Sequence, residues 1–178
     1  MEKEFNKTQL RRRVPKYRQS LDDNPCGPVC VRMVIDYFWG ALGKCTSKQD
    51  KRKILQITMN GNKYLPRGTY REHLISALRE IGISETAISG NTAARLGKLT
   101  RAIKKGSPAI LACLADFGPY GRMGHYVVLT GIDKDFLYIN DPYPGKPSQI
   151  PILSFLKNGQ PINWGKFRWG IILNLASE

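Results

Sequence analysis

The sequence predicts an α+β fold in which an N-terminal helical lobe packs on a lobe made of an antiparallel β-sheet. Up to about residue 106, apolar residues recur at the three- and four-residue intervals that place them on one face of a helix. From residue 107 onward, short runs rich in β-branched and aromatic residues alternate with Gly, Pro and Asp, as strands do between turns. Helices followed by consecutive strands are typical of the α+β class.

The first predicted helix begins at Cys26, in the stretch NPCGPVCVRMVIDYF. Proline fits only the first turn of a helix, where its missing N–H makes no difference, so Pro28 fixes the helix start near Cys26. Gly40 is the predicted end. The inner face is apolar and comprises Val29, Cys30, Met33, Val34, Tyr37 and Phe38.

Three further helices are predicted along the first hundred residues. A short basic helix covers 46–59, and ARLGKLTRAIKKG forms another that ends at Gly106. Between them, TYREHLISALREIGI is amphipathic and stops at Gly82. Its predicted inward residues are Leu74, Ile75, Leu78 and Ile81.

The strands are predicted in SPAILACLA, HYVVLTGID, FLYIND and FRWGIILNL. The segment IDKDF has turn residues between two apolar runs, so it predicts a hairpin joining 126–132 with 136–140. This hairpin brings the residues before 126 and after 140 to the same end of the sheet.

Length and composition indicate one domain. The 178 residues are 42% hydrophobic and 24% charged, without a repeat or an apolar run as long as a membrane span. We expect residues 1–12 to be a basic flexible tail and residues 13–178 to be the single domain. The first residues lack the apolar core of a secretory signal, so a cytoplasmic protein without a transmembrane segment is expected, with secretion by another route left open.

The net charge of +14 is the strongest feature of the composition. Seven Lys and Arg lie in the first 18 residues against two Glu, and a second basic stretch covers 48–53. Such a charge suits an acidic partner, or it is a solvated surface that keeps the protein soluble. No aromatic RNA-binding motif or helix-turn-helix pattern is present to favour nucleic acid.

The four cysteines are expected to be thiols, because a chain of this size without a secretory signal has no need of disulfides. With two histidines and no CxxC pair, neither a metal site nor a cofactor is implied. We interpret Cys30 as a core residue one turn after Cys26, and Cys45 and Cys113 as inert thiols.

Cys26 is the candidate nucleophile, since the helix N-terminus stabilises a thiolate and lowers the pKa of a thiol placed there. A thiolate still needs a proton acceptor and an orienting group. His125 opens a predicted strand and Asp141 closes the next, so the hairpin sets them side by side. Gln19, seven residues before Cys26, is the candidate side-chain donor to an oxyanion, with the backbone N–H of Cys26 as the second.

These motifs resemble a known family. Gln19, CGPVC at 26–30, GHYVVLTGID at 124–133 and YINDPYPG at 138–145 are similar to the papain-like double-glycine cysteine peptidases that process bacteriocin leaders, and to their stand-alone relatives. The resemblance covers roughly 14–145. It implies a papain-like fold, a peptide or protein substrate cut after small residues such as Gly-Gly, and no cofactor. It implies Cys26 as nucleophile, His125 as general base and acid, Asp141 as orienting group and Gln19 as oxyanion donor.

Other interpretations stay open at this point. The same groups serve transglutaminases, deamidases and acyltransferases, and a papain-like groove can also bind a peptide without cutting it. His73, at an expected exposed position on its helix, is given no role. Tyr126 and Trp169 either line a cleft or pack on the sheet.

Overall fold

The computed structural model describes residues 10–19, 26–41, 47–58, 69–88, 92–116, 122–143, 146–153 and 169–175. These residues form four helices and seven strands. In chain order they are β1 (Leu10–Arg11), α1 (Cys26–Ala41), α2 (Lys48–Thr58), α3 (Arg71–Arg79), β2 (Ile83–Ala87), α4 (Thr92–Lys104), β3 (Ala109–Asp116), β4 (Arg122–Ile132), β5 (Phe136–Asp141), β6 (Lys146–Pro151) and β7 (Trp169–Leu175).

The strands form one sheet in the order β2-β7-β3-β4-β5-β6, with β1 paired to the end of β4. Every pairing is antiparallel. The predicted α+β class is therefore confirmed, together with the four predicted strands. The sheet is larger than expected, because β7 pairs with β2, a strand that lies between α3 and α4 and that the sequence pattern did not indicate.

The four predicted helices are also present. Cys26 is the first residue of α1, which continues one residue past Gly40. Gly82 and Gly106 follow α3 and α4 with positive φ angles of 76° and 92°, a backbone conformation that glycine adopts without steric cost. Both glycines therefore end their helices as predicted.

Two apolar clusters pack on opposite faces of the sheet. Successive strand residues point to opposite faces, and Ile110 and Val128 pack with α1 and α3 while Ala109 and Leu129 pack with α4. The helices are thus split between the two faces of the sheet: α4 packs on the face opposite α1 and α3.

Residues 10–12, which the sequence assigned to the flexible tail, are hydrogen-bonded to the sheet. Leu10 and Arg11 pair with β4, and the Arg12 backbone N–H donates to the carbonyl of Thr130 at 2.6 Å. A short edge strand of this kind carries no recognisable apolar pattern, so sequence could not separate it from a tail. Residues 1–9 of the predicted tail, and Cys45, lie outside the described residues.

No helix in the described part of the chain combines the length and apolar character needed to cross a membrane.

Candidate active site

Cys26 occupies the first position of α1 and is buried, with 3% of its surface exposed. The first backbone N–H groups of a helix lack partners within the helix and, with the helix dipole, favour negative charge at this end. Pro28 predicted that the helix begins near Cys26, and the structure confirms this start. The thiol therefore lies where a thiolate would be stabilised.

The β4–β5 hairpin brings His125 and Asp141 together. The Nε2 atom of His125 lies 2.7 Å from Oδ1 of Asp141, and both side chains are buried. The turn is held by Asp133, whose carboxylate accepts hydrogen bonds from the backbone N–H groups of Asp135 and Phe136 at 2.8 and 2.7 Å. The predicted hairpin thus produces the predicted pairing.

The second partner of the His125 ring is Cys26. Burial by itself lowers the pKa of His125, but hydrogen bonds from the ring to Asp141 and Cys26, and the charges of these two groups, together raise it to about 9. Because Asp141 holds Nε2, Nδ1 is the ring nitrogen available to the thiol. Both interactions therefore favour the protonated form of the ring.

Gln19 lies at the same end of the sheet. Its side chain is buried, and its backbone N–H donates to the carbonyl of Pro142, the residue after Asp141, at 2.9 Å. A second hydrogen bond holds the turn that follows β5, since the Tyr143 backbone N–H donates to Oδ1 of Asp141 at 2.9 Å. The structure thus brings Gln19 to the hairpin end that carries the carboxylate.

Two other thiols, those of Cys30 and Cys113, lie near the site. Cys113 pairs with His125 across β3 and β4, and its Sγ donates to the His125 carbonyl at 3.5 Å. Burial, followed by the negative charges of nearby groups, raises the pKa of Cys113, and burial raises that of Cys30. Both groups stay neutral thiols. The sequence did not reveal that Cys113 touches the backbone of His125, because that contact depends on the β3–β4 register.

Thr69 and Tyr126 form a contact that the sequence analysis missed. The Tyr126 hydroxyl donates to the Thr69 carbonyl at 2.9 Å, and the buried Thr69 side chain packs against Gly27. A Cβ at Gly27 would lie 2.5 Å from Oγ1 of Thr69, which is closer than real contacts allow. Thr69 therefore connects the residue after Cys26 to the residue after His125.

Among the described residues, no group of three His, Cys, Asp or Glu side chains could hold a metal ion. His73, given no role by the sequence, is half-buried and packs edge-on against the Tyr70 ring at 5.7 Å between centroids.

An α+β fold that sets a buried thiol at a helix N-terminus beside a His–Asp pair is the architecture of the papain-like cysteine peptidases. The chain belongs to the Peptidase_C39 like family, whose profile matches residues 11–168.

Relatives agree with this membership. The chain is 31% identical over 137 residues to the transport/processing ATP-binding protein ComA of Streptococcus pneumoniae, a match that covers 76% of this chain and 16% of ComA. The chain thus spans about a sixth of that relative's length.

Solved structures share the fold. A double glycine motif protease from an AMS/PCAT transporter, in complex with its leader peptide, has a TM-score of 0.59 at 20% identity and 92% coverage of both chains. A C39-like peptidase from Bacillus anthracis gives 0.58 at 19% identity, covering 93% of this chain and 96% of its own. The peptidase domain of Streptococcus ComA gives 0.56 at 19% identity, with 91% and 98% covered.

Proposed function

We propose that this protein hydrolyses a peptide bond after small residues such as Gly-Gly, with Cys26 as nucleophile and His125 as general acid and base. Asp141 would orient the imidazole, and Gln19 would donate to the oxyanion. The observation that carries the proposal is the His125 ring, which is bonded through Nε2 to Asp141 at 2.7 Å and whose pKa is raised by its interactions with Asp141 and Cys26.

The first half of the reaction follows from these positions. The Cys26 thiolate attacks the carbonyl carbon, and the oxygen gains negative charge that the Gln19 amide and the Cys26 backbone N–H stabilise. The protonated His125 then gives its proton to the leaving amine as the C–N bond breaks. The acyl group remains on Cys26 as a thioester.

Water completes the cycle. Neutral His125 takes a proton from a water molecule, whose oxygen attacks the thioester carbon, and the C–S bond breaks to release the acid and restore the thiolate. Asp141 keeps Nδ1 of the imidazole directed at the thiol throughout.

Burial of the nucleophile supports the preference for small residues. With 3% of Cys26 exposed, a side chain next to the scissile bond would have to share a narrow approach with the thiol. Glycine leaves the substrate backbone free to reach Sγ. One structural relative is a double glycine motif protease, which agrees with this preference.

The test combines thiol labelling with cleavage. Iodoacetamide should alkylate Cys26 faster than Cys30 and Cys113 below pH 7, and His125→Ala should remove that advantage. His73→Ala is the matched control, because it removes the chain's other imidazole, which packs against the Tyr70 ring. Mass spectrometry of peptides with Gly, Ala or Val before the scissile bond should show a new terminus for Gly only.

Two results would contradict the proposal. Equal rates of Cys26 labelling in the wild type and in His125→Ala would show that Cys26 and His125 do not form a thiolate–imidazolium pair. Release of ammonia from a glutamine donor without a new peptide terminus would assign the same groups to acyl transfer instead.

A further inference from the structure

Six exposed cations lie in two segments of the chain that the fold joins. They are Arg13, Lys16 and Arg18 in the N-terminal segment and Arg101, Lys104 and Lys105 at the end of α4. We call these six residues the basic surface. Within residues 10–19 and 92–108 there are ten Lys and Arg and no Asp or Glu.

Arg12 holds the two segments together. Its Nε and Nη2 atoms donate to the carbonyl of Ile103 at 3.0 and 2.7 Å, and Nη2 donates to the carbonyl of Lys104 at 2.8 Å. These carbonyls lie in the last turn of α4, and that of Ile103 also accepts from the Gly106 backbone N–H at 3.1 Å, so the arginine adds to the capping of this helix end. The contact also brings like charges together, which repel one another unless an anion lies between them.

Within the described residues, none of the six forms an ion pair with a carboxylate. The ion pairs there use other cations, including Arg32, Lys53 and Arg79.

The N-terminal part of the basic surface leads along the chain to the candidate active site. This part ends at Arg18, next to Gln19, whose backbone is bonded to Pro142 beside Asp141. Six residues separate Arg13 from Gln19, a span of at most about 20 Å. A peptide that ran extended beside this segment from Gln19 would reach Arg13 within about six to eight residues.

We propose that the basic surface binds an acidic segment of the peptide substrate, six to eight residues from the bond that is cut. This inference rests on the proposed function and adds the class of substrate. Nucleic acid fits less well, because the one aromatic residue of the two segments, Tyr17, already stacks under Arg32 at 3.8 Å and donates to Asp36. An anionic membrane fits less well, because the exposed large apolar residues of the described chain lie outside both segments.

The experiment compares peptides that differ only in charge. Each contains Gly-Gly-Ala at the scissile bond and four consecutive Glu or four consecutive Gln, eight residues before or eight residues after it. The protein variants are Arg101→Gln/Lys104→Gln/Lys105→Gln and the control Lys48→Gln/Arg52→Gln/Lys134→Gln. Both lose three exposed positive charges, but only the first loses them from the basic surface.

We expect the wild type to have a lower KM for the Glu peptide than for the Gln peptide in one of the two arrangements. The first variant should raise the KM for that Glu peptide about tenfold with kcat unchanged, and the control should leave it within about twofold. The preference should shrink between 50 and 500 mM NaCl because salt screens exposed charges.

A binding measurement separates this inference from the proposed function. Fluorescence anisotropy of the same labelled Glu peptide on Cys26→Ala detects docking whether or not cleavage occurs, so tight binding without cleavage by the wild type would reject only the peptidase assignment. Cleavage with equal KM for the Glu and Gln peptides in both arrangements would overturn the basic surface as a substrate site. Loss of oligonucleotide or phosphatidylserine-vesicle binding in the first variant, with Glu-peptide binding intact, would overturn it too.

Discussion

Replacing Gly27 with alanine should destabilise the protein, although alanine is the better helix former. The new Cβ would lie 2.5 Å from Oγ1 and 2.6 Å from Cβ of Thr69, so Thr69 or the start of α1 must move. Overpacking of a buried site costs about 1–3 kcal/mol. The gain from removing a glycine inside a helix is about 0.5–1 kcal/mol. The expected net loss is about 1–2 kcal/mol.

Gly40, near the other end of α1, provides the control. A Cβ there would meet nothing within 4 Å, so Gly40→Ala should stabilise the protein by up to about 1 kcal/mol. Urea unfolding measures both changes, and the opposite signs come from the Thr69 contact alone. Peptide cleavage should fall with Gly27→Ala and stay unchanged with Gly40→Ala.

A double-mutant cycle makes the reasoning refutable. In a Thr69→Gly background the clash is gone, so Gly27→Ala should no longer destabilise; in a Thr69→Ala background the Cβ at 2.6 Å remains and so should the loss. If Gly27→Ala is as stable as the wild type, or loses the same free energy in the Thr69→Gly background, the packing described between these two residues is incorrect.

Two further predictions concern the groups around the imidazole. Asp141→Asn removes the first of the interactions that raise the pKa of His125 and leaves burial, which lowers it. The pKa of His125 should therefore fall from about 9, and kcat should fall at least about a hundredfold. NMR titration of the ring measures the pKa, and an unchanged value would contradict the assigned cause. Tyr126→Phe removes the donor to the Thr69 carbonyl and should lose about 1 kcal/mol together with activity. Tyr37→Phe, which removes a 2.9 Å bond of the same kind away from the site, should lose similar stability with activity intact, and equal activity of the two variants would rule out a positioning role for Tyr126.

Local signals explain how much of the fold the sequence predicted. Pro28 located the start of α1, and Gly82 and Gly106 located the ends of two helices, since each residue restricts or permits a backbone conformation by itself. The His125–Asp141 contact was predictable for a related reason, since a short turn brings these two strand ends to one end of the sheet; the bulge between Leu129 and Gly131, which shifts the register, was not predictable.

Long-range pairing explains what was missed. The segment ISETA, now β2, buries mainly Ile83 and is mostly polar, so only its partner β7 makes it a strand. The segment KPSQIP, now β6, contains two prolines, which are tolerated at the edge of a sheet and carry no strand signal. The role of Thr69 depends on a helix more than forty residues earlier and a strand more than fifty residues later.

The position of β7 in the sheet has a consequence for the order in which the molecule assembles. This strand inserts between β2 and β3, and the contact of Ile83 with Leu175 spans more than ninety residues. Contacts of such high sequence separation form late, because the closure entropy of the intervening loop must be overcome first. Cys26 leaves the ribosome about a hundred residues before His125 and Asp141. A nascent chain therefore carries its thiol without its imidazole until about a hundred further residues have been made, so any peptidase activity begins only after Asp141 has been synthesised.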